Sequence, residues 1–103
     1  MDCTKIMVQG KTLTVILAKD GEKYGAFCPE LDLVTELDSP EEAVEDLIED
    51  IRDYADEYIN DLELYSKSPN RAHHLSYVEA VKACKSDWDI KMLIEIKHGS
   101  IHV

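Results

Sequence analysis

Basic residues are scarce in this chain. Its 103 residues include 11 lysines and arginines against 22 aspartates and glutamates, which gives a formal net charge of −11. Proteins that bind nucleic acid gain affinity first from basic side chains that neutralise phosphates. The composition therefore predicts no direct binding to nucleic acid and favours a basic protein as partner.

Paired cysteines and long apolar runs are also missing. Cys3, Cys28 and Cys84 are odd in number, far apart and without a CxxC pair, which excludes a disulfide framework and a cysteine-based zinc site. No stretch approaches the roughly 18 apolar residues that a membrane helix needs. We expect reduced thiols, no membrane span and a cytoplasmic protein.

The strongest pattern lies in residues 39–63. Ser39 is a suitable N-cap, Pro40 suits the first helical position, and Glu42 has capping-box spacing from Ser39. Apolar residues then recur every three or four positions, which predicts one long amphipathic helix. The stripe comprises Val44, Leu47, Ile48, Ile51, Tyr54, Ala55, Tyr58, Ile59 and Leu62.

The opposite face of this helix is almost wholly acidic. It carries eleven carboxylates and one basic residue, Arg52. Seven carboxylate pairs are spaced four residues apart, and each such pair costs roughly 0.2–0.5 kcal/mol. One interpretation is a solvated face; the other is a surface for a basic partner. The second interpretation predicts four contact residues: Glu45, Glu49, Asp53 and Asp56.

Short strands are predicted on both sides of the helix. Residues 12–18 and 23–28 are separated by a Lys-Asp-Gly turn signal and predict a hairpin, which Pro29 ends; residues 33–37 predict a third strand. Apolar residues alternate with polar ones over 90–96, which predicts a last strand. Residues 1–11 are ambiguous: Ile6, Met7 and Val8 are expected to form either a short first strand or an addition to the sheet edge before Gly10.

Between the long helix and the last strand, residues 64–74 predict a loop that contains His73 and His74. Capping-box spacing from Ser76 to Glu79 predicts a helix over 75–85. Trp88 is expected in a turn, with a core role favoured over an interface role.

These elements predict a single α+β domain over residues 1–103. A small, mainly antiparallel sheet in the order β-β-β-α-(α)-β packs one face on the long amphipathic helix. Val15, Leu17 and Leu93 are expected on the other face, where they would be exposed. We therefore expect a homo-oligomer, a dimer or a tetramer.

Residues 24–54 resemble the HicB-type antitoxin family. The resemblance rests on a strand end at Cys28, Pro29, Glu30 and Leu31, on Val34, Thr35 and Glu36 in the next strand, and on a helix start at Asp38, Ser39, Glu42 and Ala43. It implies a partial ribonuclease H fold that binds and neutralises a small basic HicA-type mRNA interferase. Members of the family often add a C-terminal DNA-binding module, whereas this chain ends at Val103, so none is expected.

The alternative is a solitary oligomeric HicB-like domain that binds another protein or a small ligand and has no toxin. A gene for a short basic protein beside this one would favour the antitoxin.

An enzymatic function is not expected. A ribonuclease-H-like nuclease needs carboxylates that converge on two metal ions, with one on the first strand, but the centre of that strand is Leu-Thr-Val-Ile-Leu. Neighbouring His73 and His74 point apart on a helix, and the spacing of His98 and His102 means little in an extended tail. Cys28 has no base beside it in sequence that would make it a nucleophile. No cofactor or metal is predicted.

Overall fold

The computed structural model describes residues 13–99, which form a four-stranded sheet covered on one face by helices. The strands are β1 (Leu13–Asp20), β2 (Lys23–Cys28), β3 (Leu33–Leu37) and β4 (Ile94–His98), and the helices are α1 (Pro40–Asn60), α2 (Leu62–Lys67), α3 (Leu75–Lys82) and α4 (Asp87–Leu93). The sheet order is β3-β2-β1-β4; β4 lies parallel to β1, and the other pairs are antiparallel. The predicted α+β fold is confirmed. The expectations for residues 1–11 and for His102 lie outside the described residues.

The β1-β2 hairpin is two residues longer at its turn than predicted. The ladder continues to the pair of Asp20 and Lys23, which leaves Gly21 and Glu22 as the loop. Gly21 has a φ of 66° at the first loop position, where a type II′ turn requires glycine. β2 ends at Cys28 because Pro29 has no N–H to donate to the next ladder bond, as predicted.

The start of α1 was predicted correctly and its end was not. Ser39 Oγ accepts a hydrogen bond from the Glu42 N–H at 3.1 Å, and Pro40 occupies the first turn. At Asp61 the backbone leaves helical geometry, so α1 stops at Asn60 and a separate short helix, α2, begins at Leu62. Two residues that were predicted for the buried stripe are exposed: Ile59, in the last turn of α1, by 36%, and Leu62, in α2, by 41%.

The core lies between α1 and one face of the sheet. Leu13, Val15 and Leu17 point to this face, so the expectation that Val15 and Leu17 lie on the open face was wrong. The β1 sequence is apolar at both odd and even positions, so alternation alone did not decide its orientation. The open face instead presents Phe27 (36% exposed) and Val34 (69% exposed).

The segment between α1 and β4 is more helical than predicted. The expected loop contains α2 and a 3₁₀ turn over Ala72–His74, and α3 begins at Leu75 without a side-chain cap from Ser76. Val78 and Val81 are buried, as expected for the helix that was predicted over 75–85.

The last strand begins four residues later than predicted. Ser86 caps α4 by accepting from the Asp89 N–H at 3.3 Å, and Ile90 and Leu93, three positions apart, bury the inner face of this short helix. Helical spacing thus prevails over the apparent alternation from Ile90, and Leu93 is buried rather than on the open face of the sheet. Trp88 lies in α4 and is 67% exposed, so the favoured core role was wrong.

Candidate partner-binding surface on the long helix

The acidic surface of α1 has two sides with different neighbours. Successive residues are 100° apart around a helix, so Glu45, Arg52 and Asp56 project to one side of the buried stripe, and Asp46, Asp50 and Asp53 project to the other. The first side lies beside α3 and α4, and we call it the bridged flank. The second side starts beside β3. Its three aspartates, together with Glu49 on the outer surface of α1, form what we call the open flank.

Charges on the bridged flank are paired with residues outside α1. Lys91 Nζ lies 2.7 Å from Glu45 Oε2, and Lys82 Nζ lies 2.6 Å from Asp56 Oδ1. Arg52 pairs with Asp87 at the start of α4. Partly exposed ion pairs of this kind contribute up to about 1 kcal/mol each. They join α1 to α3 and α4.

In the described part of the chain, charges on the open flank have no such partners. Within residues 13–99, no basic side chain forms an ion pair with Asp46, Glu49, Asp50 or Asp53. Asp46 accepts a hydrogen bond from Thr35 Oγ1 of β3 at 2.5 Å, which orients it without neutralising it. Partial burial, followed by the charges of Asp46, Asp53 and Glu49, raises the pKa of Asp50. The open flank is therefore a surface of high negative charge density.

An open groove of about 540 Å³ crosses the N-terminal half of α1. Seven of its eight lining residues are acidic, and the other is Leu37: the acidic ones are Asp38, Glu41, Glu42, Glu45, Asp46, Glu49 and Asp87. Such a surface can accept lysine or arginine side chains, because a carboxylate binds a guanidinium or an ammonium in charge-assisted hydrogen bonds. Of the four predicted contact residues, Glu45 and Glu49 line the groove, while Asp53 and Asp56 follow on the next turns of the helix.

The residues that carried the family resemblance occupy structural positions. Glu30 accepts hydrogen bonds from the Thr14 N–H at 2.9 Å and the Thr14 hydroxyl at 2.8 Å, which ties the turn after β2 to β1. Cys28, Leu31 and Ala43 are buried in the core. Burial raises the pKa of the Cys28 thiol to about 12, so this group is not a thiolate nucleophile. Ser39 and Glu42 fix the start of α1.

The burial of His74 against Tyr54 of α1 was not predicted from the sequence. His74, expected in a loop, is 2% exposed, and its Nδ1 lies 2.7 Å from the Tyr54 hydroxyl. Burial lowers the pKa of His74, and His73 lowers it further. Tyr58 donates a hydrogen bond to the Arg71 carbonyl at 2.9 Å. These contacts hold the segment after α2 against the C-terminal half of α1; a single histidine among polar residues gave no periodic signal for them.

Metal-binding clusters and membrane-spanning helices are both absent from residues 13–99. In that part of the chain, no group of three or more His, Cys, Asp or Glu side chains is placed to hold a metal ion. No helix there is long and apolar enough to span a membrane. The centre of β1 carries no carboxylate, as its sequence indicates.

Comparison with known proteins identifies similar chains of one kind. Residues 4–96 match the family model PHD_like, described as "Antitoxin of toxin-antitoxin, RelE / RelB, TA system". A crystal structure from Syntrophomonas wolfei subsp. wolfei, described as "an antitoxin part of a putative toxin/antitoxin system", aligns with a TM-score of 0.80 at 26% identity, over 93% of this chain and 71% of that one. Comparison with curated proteins gave no significant match.

Proposed function

From the premise that the chain belongs to this family of antitoxins from toxin–antitoxin systems, we propose that it neutralises its toxin by binding it through the acidic surface of α1. We propose further that the toxin is a small basic mRNA interferase of the HicA type. The resemblance of residues 24–54 to HicB-type antitoxins supports this finer assignment, and the α+β fold is compatible with it. The description of the matched family model names RelE and RelB instead of HicA and HicB. Identifying the bound toxin therefore decides between a HicA-type and a RelE-type partner.

The observation that carries the proposal is the charge of the open flank, which is unpaired within the described part of the chain. Like charges on neighbouring helical turns destabilise the helix, and nothing in residues 13–99 offsets them with a basic side chain. A basic partner would provide the missing cations, and the complex would replace repulsion by attraction. The same field would also accelerate association, since complementary charges steer partners together.

Among the predicted contact residues, we propose that Glu49 and Asp53 contribute most to toxin binding. Glu45 and Asp56 already pair with Lys91 and Lys82, and a toxin would have to displace these lysines to use them. Glu49 and Asp53 are therefore the test positions, and Glu45 and Asp56 are the matched control positions on the same helix.

The remaining features of the proposal follow from the same surface. We propose a single non-enzymatic domain that acts in the cytoplasm and does not bind DNA on its own. The absence of a carboxylate from the centre of β1 and the raised pKa of Cys28 support the lack of catalysis. The net charge of −11 supports the lack of DNA binding, because phosphates would be repelled.

The experiment compares two double variants with the wild type. Tagged wild-type chain, Glu49→Gln/Asp53→Asn and Glu45→Gln/Asp56→Asn are used to capture proteins from an extract of the source cells. We expect the wild type to retain a small basic protein that arrests growth when expressed alone. Co-expression with the wild type or the Glu45/Asp56 variant should restore growth. The Glu49/Asp53 variant should restore it poorly, with association slowed about tenfold or more at low salt.

Two outcomes would contradict the proposal. Equal toxin binding by the wild type and both double variants would show that the open flank is not part of the toxin interface. Failure of the wild type to retain any growth-arresting protein would favour the alternative, a solitary domain without a toxin. Circular dichroism of each variant checks that α1 is intact, since the substitutions leave its buried stripe unchanged.

A further inference from the structure

Within residues 13–99, β4 forms an edge of the sheet, and half of its backbone groups pair with no other strand of that part. Its only strand neighbour within residues 13–99 is β1. Gly99 donates its N–H to the Leu17 carbonyl at 2.8 Å, and the parallel register pairs Leu17 with His98. In such a ladder, Glu95 and Lys97 direct their N–H and C=O groups toward β1, whereas Ile94, Ile96 and His98 direct theirs outward.

The side chains along this edge are self-complementary about Ile96. In an antiparallel pair of two β4 strands related by a two-fold axis at Ile96, Ile94 lies opposite His98 of the second copy, and Glu95 lies opposite its Lys97. The outward backbone groups of Ile94, Ile96 and His98 then form the hydrogen-bonded pairs. Glu95 and Lys97 fall at the non-hydrogen-bonded positions, where facing side chains are closest.

From this register we propose that two copies of the chain dimerise by pairing their β4 strands into a continuous eight-stranded sheet. The two-fold axis repeats the Glu95–Lys97 ion pair on both sides of Ile96. Lysine on an exposed edge strand ordinarily prevents pairing, but here each lysine meets a glutamate of the other copy. The inference is independent of the toxin-binding proposal, because it does not use Glu49 or Asp53, the residues proposed to contribute most to toxin binding.

A groove beside β4 supports the same arrangement. It has a volume of about 530 Å³, and most of its lining is apolar, with charged side chains at Glu41, Glu45 and Lys91; the apolar residues are Leu17, Pro40, Val44, Ile48, Ile94 and Ile96. Ile96 is 47% exposed although it points to the covered face of the sheet. A perpendicular two-fold axis brings both α1 helices to the same face and places Ile96 against Ile96 of the second copy, so pairing removes apolar surface from water.

The opposite edge of the sheet lacks this self-complementarity. β3 reads Leu-Val-Thr-Glu-Leu, so a two-fold axis at Thr35 would place Val34 opposite Glu36 of the second copy and provide no cation. The charge pattern therefore distinguishes β4 from β3 as the edge for a second copy.

Charge reversal tests the register directly. Glu95→Lys alone places lysine opposite lysine twice, and Lys97→Glu alone places glutamate opposite glutamate twice. We expect each variant to raise the dimer dissociation constant about tenfold or more, as measured by sedimentation equilibrium. An equimolar mixture of the two variants, and the double variant Glu95→Lys/Lys97→Glu, should both recover dimers.

Controls carry the same charge changes at exposed positions away from β4. Glu36→Lys and Lys85→Glu should leave the dissociation constant within about twofold of the wild-type value. Ile96→Lys should abolish the dimer while circular dichroism shows an unchanged fold. A monomeric wild type would overturn the proposal, as would a dimer insensitive to Ile96→Lys or a mixture that fails to recover. Loss of toxin capture by Ile96→Lys in a chain that is monomeric alone would assign the edge to the toxin instead.

Discussion

The two flanks of α1 have similar acidic sequences but different surroundings. On the bridged flank, α3 and α4 supply Lys82 and Lys91, which neutralise Asp56 and Glu45. On the open flank, β3 supplies the Thr35 hydroxyl, which binds Asp46 without adding positive charge. The difference shows that the neutralisation of a row of carboxylates depends on whether the rest of the fold places cations beside it. The uncompensated row is the better candidate for an intermolecular surface.

The largest expected effect comes from a substitution in the core of the protein, beneath both flanks of α1. Ile51 is fully buried beneath the acidic surface. Ile51→Ala should lower the free energy of unfolding by about 2–5 kcal/mol, because it leaves a cavity in the core. For a domain of this size that is a large part of the total stability. Urea denaturation measures the change.

Ile59→Ala is the matched control for this prediction, since it removes the same atoms from a residue that is 36% exposed. Its cost should stay below about 1 kcal/mol. Equal costs at the two positions would mean that Ile59 is as well packed as Ile51 and that its 36% exposure does not weaken its contacts.

A feature of this fold could be predicted from the sequence when the contacts that determine it join residues that are close together in the chain. The α1 start was predictable because Ser39, Pro40 and Glu42 act within one helical turn. The burial of His74 depends on Tyr54, twenty residues earlier in the chain, and no periodic pattern reports such a contact. The start of β4 was misplaced because Ile90 fits both an alternating and a helical pattern, and the Ser86 cap decided between them.

The same distinction applies to the candidate surface. The acidic row could be read from the spacing of its carboxylates, but its division into two flanks could not. The division depends on Lys82 and Lys91, which lie 26 and 46 residues from their partners Asp56 and Glu45. Their positions follow from how α3 and α4 pack, which the sequence pattern of α1 does not contain.

A medium effect is expected from removing the bridging cations. Lys82→Gln/Lys91→Gln leaves Asp56 and Glu45 unpaired and makes the bridged flank resemble the open one. We expect a loss of about 1 kcal/mol in the free energy of unfolding at low salt, and a smaller loss at high salt, since exposed ion pairs are weak and screened.

Lys85→Gln, which removes a cation that forms no ion pair within residues 13–99, should change stability by less than about 0.5 kcal/mol. If Lys82→Gln/Lys91→Gln is as stable as Lys85→Gln at low salt, the ion pairs of Lys82 and Lys91 contribute nothing to stability. The two flanks would then differ only in geometry.

The smallest effect has the opposite sign on the two flanks and therefore tests the comparison most sharply. Asp50→Asn on the open flank removes a charge that faces Asp46, Asp53 and Glu49. It should raise the free energy of unfolding by up to about 0.5 kcal/mol at neutral pH. Asp56→Asn on the bridged flank makes the same chemical change but removes the partner of Lys82, so it should lower that free energy by up to about 1 kcal/mol.

The pH dependence follows from the raised pKa of Asp50, which burial causes first and its acidic neighbours increase. The folded chain binds the Asp50 proton more tightly than the unfolded chain does, so the contribution of this group to stability is present below the ordinary pKa of 3.8 and is lost as pH rises through the folded value. Asp50→Asn should thus match the wild type near pH 3 and exceed it at pH 7. Thermal unfolding at both pH values measures this difference, and a variant that is less stable than the wild type at pH 7 would mean that Asp50 has a stabilising partner and that the open flank is not open.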